Sequence, residues 1–579
     1  MVNLKAMPFY LSDKDIQWVE ETFAAMTLEE KIGQLFINLG RSRDPQTLKN
    51  LLDKYHIGGA RYMGASAVEI HQQNSFYQQH SKLPLLIAAN CDSGGNGACN
   101  DGTFIATSAQ CGATDSAETA YQVGYVSGAE SMAIGCNWTF GPCADIILNW
   151  RNTIVNTRAY GCNPDQVIEM SRAYIRGVRE SGMAACAKHF PGDGVEERDQ
   201  HLVMGVNDLN CADWDQTFGK VYQALIDDGL QSMMIGHIAL PAYSRKLRLG
   251  IRDQEIMPAT LAPELLTDLL RGQLGFNGLI VTDASHMAGM ACAKERRLHV
   301  PEAIAAGCDM FLFFNDPDED YGYMLEGYRS GIISEERLSD ALHRILGFKA
   351  ALKLHEKQAS GSLVPDAAGL AVVGCVQHQA MALTAAQKAI TLVKDTQHNL
   401  PINPKTHPRI KLYYLSAPPQ TLRQWPDPVR ELVADELRQA GFRVEVHQNF
   451  YDLMKSESGP EPFWKLLSAG KMEDYHAAYD AVMVFVNVRG YAQENVVRIK
   501  WSTGHSNEIP WYVAERPTVF VSLNYTTHLY DLPMAKTFIN AYADTRPIIH
   551  ETIRKIMGEA PFEGQYNDTV FCDKWDTRL

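Results

Sequence analysis

Up to about residue 350 the chain repeats one pattern: a short apolar strand, a polar or glycine-rich loop, and an amphipathic helix. The candidate strands are IGQLFINL, IGGARYM, LPLLIAAN, CNWTFGP, MAACAKHF, SMMIGHI, GLIVTDA and DMFLFF. Strands that are apolar throughout and separated by helices are typical of a parallel sheet covered on both faces. About eight such units predict a (β/α)₈ barrel with insertions, and an open doubly wound sheet is the alternative that periodicity leaves open.

Polar residues stand where these strands end: Asn90, Asp92, Asp145, Lys188, His189, His237 and Asp283. Barrel active sites form at the C-terminal ends of the strands, with residues contributed by several strands at once. Any one of these residues, taken alone, is equally explained as a cap for the helix that follows it. Their recurrence strand after strand favours the barrel and indicates a site at its mouth.

A change of composition divides the chain. Residues 353–369, KLHEKQASGSLVPDAAG, are polar and carry Gly, Ser and Pro, which predicts a linker. Six further strands follow it: AITLVKD, RIKLYYLS, FRVEVHQ, AVMVFVNV, TVFVSLN and TFINAYA. We therefore predict a barrel domain over 1–352 and a second domain of α/β layers over 370–579.

The composition limits the partners. The formal net charge is −15 and no Lys/Arg tract occurs, so we expect neither nucleic acid nor an anionic membrane as a partner. No uninterrupted apolar run reaches the roughly 18 residues of a membrane span, and Pro8 and charges stand where a signal peptide needs an apolar core. The 12 cysteines contain no CxxC pair. We expect a cytoplasmic protein with reduced cysteines, and the sequence makes no prediction about its oligomeric state.

The segment GLIVTDASHMAGM places Asp283 directly after a strand of the predicted barrel. A carboxylate held at the mouth of a strand can be aimed at a substrate carbon, which is what a nucleophile requires. The alternative is an aspartate that caps the next helix.

The segment AKHFPGDGVEERDQHL gathers many titratable groups on one loop, among them Asp199 and His201. On an extended segment, residues two apart point to the same side, so the carboxylate can hydrogen-bond one imidazole nitrogen. The other nitrogen is then free for proton transfer. The same spacing could be half of a metal site, but the further ligands that a metal needs, such as an HExxH helix, are not visible. We expect no metal and no cofactor.

These motifs resemble glycoside hydrolase family 3, specifically its β-N-acetylglucosaminidase branch. The similar segments are KHFPGDG, DQH, PATLAPELLTDLLRGQLGFNGLIVTDA, EEKIGQLF, ISEERLSDALHRILGFKAAL and KAITLVKDTQHNLP. The resemblance spans nearly the whole chain. It implies a barrel followed by an α/β sandwich domain, and retaining hydrolysis of a β-glycoside.

The resemblance also implies roles for individual residues. Asp283 matches the nucleophile, and His201 with Asp199 matches the acid/base histidine and its aspartate partner. Lys188 and His189 match the sugar-binding Lys-His pair. In a further match, the arginine of NTRAYG, Arg158, corresponds to the family's sugar-binding arginine.

Two departures from the family pattern occur. Relatives usually have Asp-Gln-Glu-Gly-Gly after the third strand, whereas this chain has NCDSGG, so Asp92 matches the hydroxyl-binding aspartate only with a one-residue shift. Relatives usually carry Gly-His-Gly after the proline, whereas this chain has Gly192-Asp193-Gly194. The extra carboxylate bears on substrate preference more than on mechanism.

The predicted activity is an exo-acting, retaining β-glycosidase that removes terminal β-N-acetylglucosamine through a glycosyl-aspartate. One alternative is a β-glucosidase whose acid/base is a glutamate of the second domain, Glu494 or Glu508, although we expect both to be solvated loop charges. Another is a phosphorylase, because a neutral histidine base repels phosphate less than a glutamate would. An inactive sugar-binding protein is a further alternative, and a nucleotide-binding oxidoreductase lacks support because no GxGxxG joins a strand to a helix.

Overall fold

The computed structural model describes residues 2–417, 427–455, 470–490, 493–502 and 505–579. The chain divides into two compact units. The first, the barrel unit, comprises Met1–Ser108, Ser116–Ile147 and Arg158–Met381. The second unit comprises Ala109–Asp115, Leu148–Thr157 and Ala382–Leu579.

The unit boundary differs from the predicted one. The barrel unit reaches Met381, so the predicted linker 353–369 lies inside it and contains the helix Leu354–Ala359, with Leu354 buried. The two short segments of the second unit at 109–115 and 148–157 interrupt the predicted barrel domain. The polar composition of residues 353–369 predicted a linker because composition describes only the average preference of a segment for water. The unit on which a segment packs depends on individual apolar side chains that become buried, such as Leu354.

The barrel unit is built on a closed parallel barrel of eight strands, which confirms the predicted fold class. Its strands are β1 Phe36–Gly40, β2 Gly59–Tyr62, β3 Leu86–Ala89, β4 Trp138–Thr139, β5 Ala184–Phe190, β7 Ser232–Ile235, β9 Leu279–Ala284 and β10 Met310–Leu312. Their order around the barrel is β1-β10-β9-β7-β5-β4-β3-β2. All residues of β3 and β5 are buried, as expected of strands covered on both faces. A separate short sheet pairs β6 Gly205–Val206 with β8 Ile238–Ala239, which the sequence did not predict.

Helices surround the barrel strands. The α-helices are Asp13–Ala25, Leu28–Gln34, Pro45–Tyr55, Ala67–His80, Ala117–Ala133, Pro164–Glu180, Cys211–Trp214, Lys220–Asp227, Pro241–Leu247, Ala288–Ala291, Arg296–Ala306, Pro317–Arg329, Glu335–Ala351, Leu354–Ala359 and Val376–Ala389, the last of which runs on into the second unit. Two π-helical segments are Asp215–Gly219 and Glu264–Gln273, and 3₁₀ turns are Gly95–Gly97, Asn156–Arg158, Asp253–Glu255, Ala259–Leu261 and Ala367–Val372. The predicted N-cap Ser12 accepts a hydrogen bond from the Asp15 N–H in a capping box, and Ser334 caps Glu335–Ala351.

The second unit contains all six strands predicted for it. They are β11 Thr391–Asp395, β12 Arg409–Ser416, β13 Arg443–Val446, β14 Ala481–Asn487, β15 Thr518–Ser522 and β16 Thr537–Asn540, in the order β11-β16-β15-β14-β12-β13. Among these six described strands, only β11 is antiparallel to its neighbour. The described helices of this unit are Ser108–Thr114, shared with the barrel unit, and Pro428–Gln439, Phe450–Lys455, Met472–Ala478 and Arg546–Ile556, with 3₁₀ turns Trp511–Ala514, His528–Tyr530, Asp568–Phe571 and Asp576–Arg578.

One stretch of the described chain, Ala367–Ala389, is long and apolar enough for a membrane span, with a mean hydropathy of 1.2. It consists of two helices, because Val373 adopts an extended conformation between them. A membrane span needs an unbroken set of internal backbone hydrogen bonds. Length and composition alone are therefore weak evidence that this stretch crosses a membrane.

Candidate active site

Three of the predicted sugar-binding residues form one charged cluster. The Nζ of Lys188, at the end of β5, lies 3.0 Å from a carboxylate oxygen of Asp92, which follows β3. Arg158 donates to the other oxygen of Asp92 at 3.3 Å. Burial alone would raise the pKa of Asp92, but the charges of Lys188 and Arg158 outweigh it and lower the pKa to about 2. The cluster therefore presents a fixed carboxylate to the barrel mouth.

His189 joins this side of the site to Asp283. Its Nδ1 lies 2.7 Å from Asp145, a fully buried carboxylate after β4 that also accepts the His189 backbone N–H. Its Nε2 lies 3.8 Å from the carboxylate of Asp283 at the end of β9. Because Asp145 holds one nitrogen of the ring, the other is oriented toward Asp283.

The surroundings of Asp283 keep its carboxylate charged. Burial by itself would raise the pKa of Asp283, but the electrostatic influence of the neighbouring imidazoles of His189, His237 and His201, together with the hydrogen bond from the Ala284 N–H, lowers it below the ordinary value. An anionic carboxylate at the mouth of the barrel is the state that a nucleophile needs.

Asp199 and His201 form the hydrogen bond that their spacing predicted. Asp199 is fully buried, and one of its oxygens lies 2.6 Å from Nδ1 of His201 and accepts the His201 backbone N–H at 2.8 Å. Burial lowers the pKa of His201, but the hydrogen bond and charge of Asp199 and the charge of Asp283 outweigh it and raise the pKa above its ordinary value. The negative charge of Asp283 thus acts on His201, and this interaction connects the Asp199–His201 pair to the rest of the site.

The backbone of the loop between β5 and β6 is joined to the segment after β9. Ala288 N–H donates to the carbonyl of His201 at 2.9 Å, and Gly289 N–H donates to the carbonyl of Gln200 at 3.2 Å. These two bonds bring residues that are far apart in the sequence to the same edge of the barrel.

Three residues of the site were not assigned a role from the sequence. Asp145 and His237 were noticed only as polar residues at strand ends, and the side chain of Gln200 was not considered. Asp145 carries no motif, since its role is apparent only from its hydrogen bonds to His189. Its position at a strand end was the signal that could have identified it.

Two groups of described residues could bring three metal ligands together: Cys143, Asp145 and His189, and separately Asp15, His355 and Glu356. Asp199 and His201 belong to neither group. In the first group, burial raises the pKa of the Cys143 thiol to about 12, and Asp145 already accepts hydrogen bonds from His189. In the second group, Lys353 lies 2.7 Å from Asp15 and neutralises its charge. Both groups are thus suited to internal hydrogen bonds and ion pairs.

The two glutamates of the second unit have different environments. Glu494 is solvent-exposed, as predicted. The expectation for Glu508 was wrong: its side chain is buried, accepts the Phe450 N–H at 3.0 Å, and has its pKa raised to about 7 by that burial. A buried carboxyl in a loop could not be recognised from composition, because the residues that cover it, such as Phe450, are distant in the sequence.

Comparison with known proteins agrees with this architecture. Residues 27–348 match the glycosyl hydrolase family 3 N-terminal domain. A β-N-acetylglucosaminidase/β-glucosidase from Cellulomonas fimi is 40% identical over 580 residues, covering 100% of both chains. A β-hexosaminidase from Chromobacterium violaceum is 36% identical over 198 residues, which are 34% of this chain and 52% of that protein.

Solved structures show the same relationship. A β-glucoside phosphorylase bound to 2FGlc superposes with a TM-score of 0.89 at 35% identity, covering 97% of this chain and 98% of that one. A β-N-acetylglucosaminidase from Paenibacillus sp. str. FPU-7 shares the fold, with a TM-score of 0.77 at 23% identity over 93% of this chain and 98% of that one. The chain belongs to glycoside hydrolase family 3, and it is a glycoside hydrolase that acts on O-glycosyl bonds.

Proposed function

We propose that the protein is a retaining, exo-acting β-glycosidase that removes terminal β-linked N-acetylglucosamine. The observation that carries this proposal is the pairing of His201 with Asp199 on a loop hydrogen-bonded to the segment that follows Asp283. A glycosidase of this kind needs a carboxylate nucleophile and a separate proton donor at one pocket. The Cellulomonas fimi relative is named a β-N-acetylglucosaminidase/β-glucosidase and the Chromobacterium violaceum relative a β-hexosaminidase, and together these names support an N-acetylhexosamine as the sugar.

In the first step, the carboxylate of Asp283 attacks the anomeric carbon while protonated His201 gives its Nε2 proton to the leaving oxygen. The Nδ1–H of His201 stays with Asp199, whose charge stabilises the imidazolium. In the second step, His201 takes a proton from water as the water cleaves the glycosyl-aspartate. Retention requires the two groups on opposite sides of the bond, roughly 5 Å apart.

The charged cluster supplies the sugar contacts in this proposal. The carboxylate of Asp92, held by Lys188 and Arg158, accepts hydrogen bonds from sugar hydroxyls. Charge-assisted hydrogen bonds of this type are about twice as strong as neutral ones. His189 directs Nε2 into the same pocket.

A second candidate function is phosphorolysis, in which phosphate replaces water in the second step. Two observations favour it: the proposed base is an imidazole, which is neutral when it accepts a proton, and a β-glucoside phosphorylase superposes over 97% of this chain. A neutral base repels the phosphate anion less than a glutamate would.

The test is a substrate panel. Aryl β-N-acetylglucosaminide and aryl β-glucoside are each incubated with and without phosphate, and both nitrophenol and sugar 1-phosphate are quantified. We expect faster turnover of the N-acetylglucosaminide, and sugar 1-phosphate as a product if phosphate is the acceptor. Faster turnover of the glucoside, together with loss of activity in Glu508→Gln, would instead support the β-glucosidase alternative.

Asp283→Ala is expected to abolish turnover of both aryl substrates, because no covalent intermediate can form without the carboxylate. Thermal unfolding should change little, since the residue faces the mouth of the barrel. Turnover of Asp283→Ala close to that of the wild type would rule out Asp283 as the nucleophile.

A further inference from the structure

In the sequence, Gln200 stands between Asp199 and His201, the proton-transfer pair. Its side chain points away from solvent. It is 1% exposed and uses both ends of its amide. Its Oε1 accepts the backbone N–H of His237 at 2.8 Å. Its Nε2 donates to the carboxylate of Asp193 at 3.3 Å.

The first of these bonds leads to the strand of the nucleophile. The ring of His237 is buried, and burial lowers its pKa to about 4, so it is neutral. Its Nε2 lies 3.0 Å from the carbonyl of Ala284, and its Nδ1 lies 3.0 Å from the hydroxyl of Thr260. A neutral ring donates with one nitrogen and accepts with the other, so Nε2–H donates to Ala284 and Nδ1 accepts from Thr260. His237 thus links Gln200 to the residue next to Asp283.

The second bond leads to the sugar-binding side of the site. The backbone N–H of Asp193 donates to Asp145 at 2.9 Å, and Asp145 also holds the ring of His189. The side chain of Asp193 is itself buried. In this chain its carboxylate accepts from Gln200 and from the N–H of Gly194 at 2.6 Å.

We propose that Gln200 is a positioning residue that sets the imidazole of His201 at its working distance from Asp283. This inference rests on the proposed function, in which His201 is the acid/base. The amide of Gln200 is hydrogen-bonded to the backbone of His237 on one side of the site and to the carboxylate of Asp193 on the other. Gln200 directly precedes His201 in the sequence.

The chemistry of the amide explains why glutamine suits this place. One end must accept a backbone N–H and the other must donate to a carboxylate; an amide offers both without depending on pH, whereas an ionised glutamate of the same length only accepts. The loop from Pro191 to Met204 contains no helix or strand, so side-chain bonds such as these fix its path. A displacement of about 1 Å at a reacting group can lower a rate by roughly 100-fold.

The test compares leaving groups. Gln200→Met removes both hydrogen bonds at nearly constant volume. We expect kcat/KM to fall by about 10- to 100-fold for an alkyl or sugar leaving group, which needs protonation, and by no more than about threefold for an activated nitrophenyl leaving group. Asp193→Asn, which replaces one of the two accepting carboxylate oxygens with an NH2 donor, should show the same selective loss to a smaller degree.

The rescue exchanges donor and acceptor. In Gln200→Glu alone, the new carboxylate faces the carboxylate of Asp193, so activity toward the poor leaving group should fall. In Gln200→Glu combined with Asp193→Asn, the amide at position 193 can donate to the carboxylate at position 200, which restores one donor and one acceptor. We expect the double variant to regain most of that activity. Arg198→Gln, on the same loop but with a solvent-exposed side chain, is the matched control and should behave like the wild type.

His201→Ala separates the two proposals. If it shows no leaving-group dependence, the proposed function fails. If it shows that dependence but Gln200→Met loses activity equally toward all leaving groups, or the double variant recovers nothing, the positioning role of Gln200 is overturned while the proposed function stands. Circular dichroism of every variant identifies any that does not fold, and the Asp193→Asn and double variants then decide the outcome.

Discussion

Two carboxylates act on the imidazole of His201. Asp199 holds Nδ1 at 2.6 Å, and Asp283 contributes a second negative charge from β9. Both favour the protonated ring and raise the pKa of His201, so the ring keeps its proton to a higher pH than a free histidine does. In return, His201 and the other imidazoles around Asp283 lower the pKa of Asp283, which keeps its carboxylate anionic. The acid and the nucleophile therefore stabilise each other's active forms.

The pH dependence follows from these shifts. For a poor leaving group, kcat/KM should fall at high pH as His201 loses its proton, with a midpoint above the ordinary histidine pKa of about 6.5. It should fall at low pH only below the ordinary aspartate pKa of about 3.9, because the pKa of Asp283 is lowered. Asp199→Asn removes the charge that favours the protonated ring, so the upper midpoint should move to lower pH.

The measurement is a kcat/KM profile of the wild type and Asp199→Asn between pH 3 and 9. An upper midpoint that stays in place in Asp199→Asn would contradict the role of Asp199. An activated aryl substrate is the control, because its departure needs little protonation and its high-pH limb should be weak.

Part of this site was predictable from the sequence, and the reason differs from residue to residue. Asp199 and His201 are two positions apart, so their hydrogen bond follows from local geometry. Asp283 follows an apolar strand, which the sequence also shows. The partnership of Asp145 with His189 spans 44 positions, and nothing in either segment encodes the other.

At the scale of the elements, the opposite end of the barrel serves stability. Asp309 immediately precedes β10 and is fully buried. Its carboxylate accepts from Arg271 at 2.7 Å, from the N–H of Ile280 in β9 at 2.8 Å, and from Arg337. This ion-pair network joins two strands to two helical segments at the N-terminal face, where barrel residues act in stability rather than in catalysis.

Asp309→Asn should therefore destabilise the barrel unit by about 3 kcal/mol or more, because it leaves the mostly buried guanidinium of Arg271 without its carboxylate partner. Urea unfolding measures the loss, and kcat/KM of the folded variant should stay within about twofold of the wild type, since the change is far from the mouth. Asp53→Asn, which breaks the exposed pair with Lys49, is the control and should cost less than about 1 kcal/mol. A loss for Asp309→Asn no greater than that of the control would show that the network is not important for stability.

At the scale of the whole molecule, the 12 cysteines are all free, and eight of them are buried. Only Cys292 is exposed, and Cys162, Cys211 and Cys375 are partly covered. Burial raises the pKa of buried thiols such as Cys91, to about 11, which suppresses the reactive thiolate. The cysteines act mainly as small apolar side chains in the two cores.

Titration with a thiol reagent should therefore show one fast equivalent in the native protein, and at most three slower ones before unfolding. All 12 should react in denaturant, with no prior reduction. Cys292→Ser should remove the fast phase. Fewer than 12 equivalents in denaturant would indicate disulfides, and eight or more in the native protein would contradict the burial.

By itself the sequence determined the features that depend on neighbouring residues. The eight barrel strands and the six strands of the second sheet, the caps at Ser12 and Ser334, and the Asp199–His201 pair all follow from period, spacing and local geometry. The tertiary structure alone decided which distant groups meet. Closure of the barrel brings Asp92 to Lys188 across 96 positions, and packing places residues 148–157 in the second unit and Glu508 in a buried site. Such contacts depend on how whole elements pack, and a local pattern carries no information about its distant partner.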